Sequence, residues 1–208
     1  MKLRMNTLKL RQATAADHAG TEDTVPLMSP TLTREQYLDV LGRFYRIIRA
    51  WDAWADAHAP EDLRGLVAER RRASLLADDL KTVGGLTAPL DADVPHDSME
   101  ATAVPGDPRA VFLGRMYVME GSTLGGQLLA RHVEQQLGLQ PGIGNSYFAG
   151  YGDHTGQRWR EFKALLEALP ESDADTVIAS AKNMFFLFGE SMRNSTLPNA
   201  SIVTHQPI

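Results

Sequence analysis

Three glycines lie within six residues of a segment that otherwise has a helical pattern: Gly121, Gly125 and Gly126. A glycine in a helix interior costs roughly 1 kcal/mol relative to alanine, so the three together cost about 3 kcal/mol. The usual reason for such a cluster is the close approach of another surface to the helix backbone. That surface is either a second helix, packed through the G-x-x-x-G spacing, or the flat face of a ligand.

A single histidine, His18, lies near the start of the chain, with Glu22 one helical turn after it and Arg11 two turns before it. On one continuous helix, Arg11 would lie about 10 Å along the axis from His18. Neutral imidazole is an axial ligand of heme iron, a nearby carboxylate holds its other ring nitrogen, and a guanidinium pairs with a propionate. A histidine helix that faces a glycine helix would therefore clamp a heme. A lone histidine is more often structural or exposed, and that alternative stays open.

Small hydroxyl residues separate the glycines. Ser122 and Thr123 follow Gly121 directly, and a bend is expected where the glycines weaken the helix. Freed carbonyls and short side chains together leave room for a diatomic ligand and ordered water above a metal. Such a pocket needs no ionisable base of its own.

Composition limits the remaining possibilities. The 208 residues suit one domain, and the absence of cysteine excludes disulfides, thiolate nucleophiles and thiolate ligands. The formal net charge is -5, and the basic run Arg70-Arg71-Arg72 is typical of a solvated helix face, so nucleic acid is not an expected partner. No apolar run approaches the roughly 18 residues that span a bilayer. We therefore expect a cytoplasmic protein without a membrane segment.

Helix start and stop signals divide most of the chain into helices. A capping box at Thr33 and Gln36 begins one helix, and Asp107 followed by Pro108 begins the longest. No strand pattern competes, so the sequence predicts an all-α fold of about six helices in a single domain over 1–193, with 194–208 as a flexible tail. The predicted helices cover 7–20, 33–58, 60–84, 107–138, 156–169 and 173–191, and 84–107 is a loop.

Together the two motifs resemble those of the heme oxygenases. In that family a proximal histidine, in a motif like Leu-Lys-x-x-Thr-x-x-x-His, lies opposite a kinked, glycine-rich distal helix. Here the first motif reads Leu10-Arg11-Gln12-Ala13-Thr14-Ala15-Ala16-Asp17-His18, and the second reads Tyr117-Val118-Met119-Glu120-Gly121-Ser122-Thr123-Leu124-Gly125-Gly126. The second is most similar to the bacterial forms associated with bacteriophytochromes. The resemblance implies a single-domain helical fold with heme between a proximal and a distal helix.

The resemblance also implies a role for each matching residue. His18 would be the axial ligand of the heme iron, Glu22 would orient it, and Arg11 would meet a propionate. The predicted catalytic residues of the distal face are Gly121, Ser122 and Gly125. Further predicted heme contacts come from Gly126, Tyr117, Arg160, Lys163 and Phe185, although basic residues are more often solvated and aromatic stripes more often plain core.

One residue departs from the family pattern. Many members carry an aspartate after the first distal glycine, whereas this chain has Ser122. A serine anchors water but is a poor acid, so protons would travel through water to solvent or to another polar group.

The implied reaction uses heme b as both substrate and cofactor. Dioxygen and external electrons would open the ring to biliverdin, carbon monoxide and ferrous iron. Because the chain has no flavin or iron–sulfur motif, a ferredoxin or a flavoprotein reductase would supply the electrons, and a bacteriophytochrome would be a possible recipient of the biliverdin. The alternatives are a non-catalytic heme carrier or sensor with the same fold, which Ser122 keeps open, and a helical interaction protein without heme.

Overall fold

The computed structural model describes residues 4–85, 97–100 and 102–193, and these ranges are helical with short connections. The predicted tail, 194–208, and half of the predicted loop, 84–107, lie outside the described residues, and the described part of that loop includes a short helix, Asp97–Glu100. Within the described ranges the only β pairing is an isolated bridge between Arg4 and Pro170, and the predicted all-α class is confirmed. The helices are α1 (Thr7–Ala13), α2 (Ala15–Glu22), α3 (Arg34–His58), α4 (Arg64–Glu69), α5 (Ala73–Gly84), α6 (Asp97–Glu100), α7 (Pro108–Leu137), α8 (Ser146–Ala149), α9 (Thr155–Glu167) and α10 (Ala174–Arg193).

The longest helix, α7, has the ends that its sequence predicts. The Asp107 side chain accepts hydrogen bonds from the backbone of Arg109 and Ala110, and Gly138 ends the helix in the left-handed region at φ 65°. The glycine run does not interrupt the helix. None of the described helices is long and apolar enough to cross a bilayer.

α10 packs along the first half of α7, and a glycine sets their separation. A Cβ added at Gly114 would stand 2.6 Å from the Val177 carbonyl oxygen and 2.7 Å from the Ser180 Cβ. Real Cβ atoms do not approach backbone oxygens this closely, so the contact requires glycine. Further along α10, Phe44 of α3 packs edge-on against Phe188 at 5.1 Å between ring centroids. α3, α10 and α7 thus form the rigid centre of the molecule.

The N-terminal segment forms two helices rather than the single predicted one. The chain turns at Thr14, with φ −107° and ψ 4°, and the Thr14 hydroxyl donates to the Leu10 carbonyl at 2.9 Å. Burial of Leu10 fixes α1 against the core. The prediction that Arg11 and His18 share one continuous stripe is therefore wrong, because the break falls between them.

The basic run Arg70-Arg71-Arg72 also differs from its prediction. The predicted helix over 60–84 is interrupted here, since α4 ends at Glu69 and α5 begins at Ala73. Arg70 and Arg72 are 7% and 4% exposed, whereas Arg71 is exposed and pairs with Asp56. The solvated-face prediction holds for Arg71 alone, because the break turns the other two guanidinium groups toward buried acceptors.

Replacing Arg70 with alanine is expected to lower the free energy of unfolding by about 3–5 kcal/mol, because it leaves a buried carboxylate without its partner. Arg70 Nη1 lies 2.5 Å from Glu120 Oε2, and both side chains are about 5% exposed or less. Urea denaturation followed by circular dichroism measures the change. The matched control is Arg71→Ala, whose exposed pair should contribute less than about 1 kcal/mol. Equal losses in the two variants would contradict the assignment.

Candidate functional site

His18 stands on α2 with one ring nitrogen occupied and the ring largely open. Its side chain is 55% exposed, and Nδ1 lies 3.4 Å from Glu22 Oε2. The ring also meets Phe185 of α10 edge-on, at 5.8 Å between centroids. In the described part of the chain, His18 has no other side-chain polar contact. Because Glu22 takes the Nδ1 side, Nε2 is the nitrogen left for a ligand.

One face of α7 runs from Gly114 to His132, and we call it the stripe. Other segments of the chain cover it at both ends. Gly114 and His132 are separated by eighteen residues, which is five helical turns, so they lie on the same face. α10 covers that face at Gly114, as described above, and the Ser29 carbonyl covers it at the other end, 2.9 Å from His132 Nε2. The same face between these two contacts includes Gly121 and Gly125.

The two glycines in the middle of the stripe face open space. A Cβ added at Gly125 would meet nothing within 4 Å. One added at Gly121 would meet only the Trp159 ring, at 3.9 Å, which is ordinary contact. Trp159 also packs against half-buried Tyr117, at 5.8 Å between centroids, so these two rings border the open part of the stripe. The backbone at these two glycines is therefore not closely covered by another described segment, and its contact with a ligand stays a prediction.

Gly126 has a different role from the predicted heme contact. It is buried, and an added Cβ would stand 2.5 Å from the Phe148 carbonyl oxygen. Gly126 therefore lies on the side of α7 that packs against α8, turned away from the open stripe. Helix packing explains Gly126, whereas close approach of a ligand at Gly121 and Gly125 stays a prediction.

α2 and the turn that follows it connect α10 to α7. α2 packs against α10, and the 3-10 turn at Pro26–Met28 that follows it packs against α7. The histidine helix thus lies between α10 and the segment that covers the far end of the stripe, and Phe185 of α10 lies beside the His18 ring.

Three cationic side chains lie on α1 and α9, two helices that pack against each other. Arg160 and Lys163 are three residues apart on α9, and Arg11 is on α1, which packs against α9. Arg11 and Arg160 are exposed, Lys163 is half-buried, and no ion pair joins any of the three to another described residue. Their charges are available to an anionic group of a ligand.

Ser122 is next to the stripe, and two hydrogen bonds fix its hydroxyl. Its hydroxyl donates to the Met119 carbonyl at 2.8 Å and accepts from Arg72 Nη2 at 3.4 Å. Arg72 also donates to Met119, at 2.7 Å. Thr123, by contrast, is buried and donates to the Glu120 carbonyl at 2.7 Å, so its hydroxyl is turned to the core. Sequence reasoning missed Arg72, since nothing local distinguishes it from Arg71.

Comparison with known proteins agrees with this architecture. The family model described as heme oxygenase matches residues 5–194. A heme oxygenase of Xanthomonas campestris pv. campestris (strain 8004) is 31% identical over 157 residues, which cover 74% of this chain and 87% of that protein.

Solved structures share the fold. Heme oxygenase from Leptospira interrogans superposes with a TM-score of 0.75 at 19% identity, covering 92% of this chain and 98% of that one. The NO- and CO-bound heme oxygenase from Neisseria meningitidis gives 0.66 at 24% identity, covering 89% and 88%. With the family model spanning nearly the whole chain and a relative above 30% identity, this chain belongs to the heme oxygenase family.

Proposed function

We propose that heme binds in the cleft between α2 and α7 and is opened there to biliverdin, carbon monoxide and ferrous iron. The observations that carry this proposal are a half-exposed imidazole on α2 and bare backbone at Gly125 on α7, since α2 and α7 both pack against α10. The donor set fits heme, because a porphyrin brings its own four nitrogen ligands and needs a single protein ligand on one side. His18 is that ligand.

The proximal residues orient the imidazole. Glu22 Oε2 lies 3.4 Å from Nδ1, which leaves Nε2 for the iron, and the carboxylate charge makes the imidazole a stronger donor. Phe185 supports one edge of the ring and limits its rotation. When bound, the heme supplies both the iron that activates dioxygen and the carbon that is oxidised, so the protein needs no nucleophile of its own.

The distal residues control access to the other face. Gly121 and Gly125 let the α7 backbone approach the ligand closely, and Ser122 places a hydroxyl beside them. Tyr117 and Trp159 exclude water from one border of the cleft.

Removing Arg160 and Lys163 together is expected to weaken hemin binding about three- to tenfold, because two solvent-accessible charge pairs with propionates contribute about 0.7–1.4 kcal/mol together. The measurement is a titration of the Arg160→Ala, Lys163→Ala variant with hemin, followed by absorbance. Arg64→Ala, which removes an exposed cation on α4, is the matched control. Unchanged affinity in the double variant would place the propionates elsewhere.

Turnover distinguishes the enzyme from a carrier or sensor. The protein with one equivalent of hemin is followed in air after addition of ascorbate, or of a ferredoxin or flavoprotein reductase system, and the product is extracted and chromatographed. Loss of the Soret band with growth of biliverdin absorption supports the enzyme and its need for dioxygen and an external donor. A stable Soret band favours the carrier, and no Soret band contradicts heme binding.

The destination of the biliverdin is a separate proposal. The similarity of the distal segment to the bacteriophytochrome-associated forms favours a photoreceptor as recipient. Turnover in the presence of an apo-bacteriophytochrome should then yield its red-absorbing form faster than added free biliverdin does. Equal rates would contradict direct transfer.

A further inference from the structure

His132 joins the glycine-bearing helix to the segment that follows the histidine helix. It lies on α7 and is half-buried, and its Nε2 is 2.9 Å from the Ser29 carbonyl oxygen. Because a carbonyl oxygen only accepts hydrogen bonds, Nε2 carries the hydrogen and donates it. The two residues are 103 positions apart in the chain. The bond is therefore a tertiary contact, which neither helix needs for its own formation.

A short series of turns connects Ser29 to α2. The Val25 amide donates to the Glu22 carbonyl at 3.0 Å. The Ser29 amide then donates to the Pro26 carbonyl at 3.2 Å. Leu27, between these two turns, is fully buried and anchors the segment. Because each turn is closed by its own hydrogen bond, a displacement of Ser29 is transmitted to the end of the histidine helix.

α10 holds the histidine helix from the other side. α2 packs against α10, and the His18 ring meets Phe185 edge-on. α10 in turn packs closely against α7 at Gly114. The helix that carries His18 is thus connected to α7 twice, once through α10 and once through Ser29. The open glycines lie on α7 between these two connections.

We propose that His132 is a positioning residue that sets the separation between the His18 imidazole and the open backbone at Gly125. The inference rests on the proposed binding of heme between α2 and α7. The hydrogen bond to Ser29 holds the histidine helix near the stripe, so the space on the Gly125 side accepts a small ligand of the iron. A larger ligand has to displace the segment after α2, and that displacement breaks the bond.

The test compares two hydrogen bonds of the same kind on different sides of α7. Gln127 Nε2 donates to the Gly152 carbonyl at 2.9 Å, which ties α7 to the turn before α9. His132→Leu and Gln127→Leu each remove one such bond. His132→Gln keeps an N–H donor near the position of Nε2, whereas the side chain in His132→Asn is too short to reach Ser29. The melting temperature of each apoprotein shows whether it folds.

The first measurement is amide hydrogen exchange of the segment 23–29 in the apoprotein. It should be about fivefold faster in His132→Leu, because a hydrogen bond of about 1 kcal/mol no longer opposes opening of the segment. His132→Asn should show the same acceleration. His132→Gln and Gln127→Leu should match the wild type in this segment.

The second measurement is the affinity of the ferric hemin complex for two added ligands of different size. The Kd of imidazole should fall about fivefold in His132→Leu and His132→Asn, because the bond that imidazole must break is already absent. The Kd of cyanide, a diatomic ligand, should change by less than about twofold, because its binding leaves the segment in place. A general loss of stability would not distinguish the two ligands.

An unchanged imidazole Kd, or unchanged hydrogen exchange, in both His132→Leu and His132→Asn overturns the proposal. An equal effect in Gln127→Leu also overturns it, since the change would then be a general loosening of α7. Should His132→Leu fail to fold, His132→Asn provides the same comparison. Failure of the proposed function is recognised separately, because the wild-type protein would then give no hemin spectrum that depends on His18, whereas the exchange measurement needs no heme.

Discussion

Replacing His18 with alanine is expected to reduce heme turnover on the order of 100-fold or more, because the iron loses its protein ligand. His18 is 55% exposed and contacts only Glu22 and Phe185 by its ring, so its removal should leave the fold intact. The measurements are the Soret position of the hemin complex, the rate of biliverdin formation and the melting temperature of the apoprotein.

Two further samples separate ligation from an indirect effect. His154→Ala removes an exposed histidine of the turn before α9 and should leave spectrum and turnover unchanged. Imidazole added to His18→Ala should restore the Soret band, because the free base enters the space that the side chain left. A normal spectrum in His18→Ala without imidazole would show that the ligand assignment is wrong.

Replacing Gly125 with valine is expected to weaken hemin binding, whereas replacing Gly126 with valine is expected to lower stability. At Gly125 the new side chain projects into the cleft, so hemin binding should weaken about 10- to 100-fold through a steric cost of about 1–3 kcal/mol. Stability should not fall, because the added Cβ meets nothing within 4 Å and glycine is the poorer helix former. Hemin titration and urea denaturation measure the two quantities.

At Gly126 the expected loss is in stability. An added Cβ would stand 2.5 Å from the Phe148 carbonyl oxygen, so valine should lower the free energy of unfolding by about 3 kcal/mol. Hemin affinity of the fraction that remains folded should change less than in Gly125→Val. If the two variants lost binding and stability in parallel, the separation of the cleft side of α7 from its packing side would be wrong.

Local sequence signals predicted the helices whose capping residues lie beside them in the chain. The capping box of Thr33 and Gln36 is present at the start of α3, and Asp107 and Gly138 cap α7 as predicted. These features depend on hydrogen bonds between residues a few positions apart, so sequence reasoning finds them.

Elements whose boundaries depend on distant partners were not predicted. The turn at Thr14 separates α1 from α2, and Arg70 and Arg72 leave the helical path to reach buried acceptors on α7. Neither event has a proline or glycine at the position where the helix stops. Tertiary contacts decide both, because a buried guanidinium requires hydrogen-bond partners that only the folded chain supplies.

The sequence by itself determined the all-α class, the helix that carries the glycines and the residue types of the two facing walls. Residue type and helical period are local properties, and His18, Gly121 and Gly125 needed nothing else to be proposed as site residues. Only the tertiary structure decided that Gly126 faces Phe148 while Gly125 faces open space, and that Arg72 rather than Arg71 reaches Ser122. Which side of a helix is covered depends on segments far along the chain, and no local pattern records their positions.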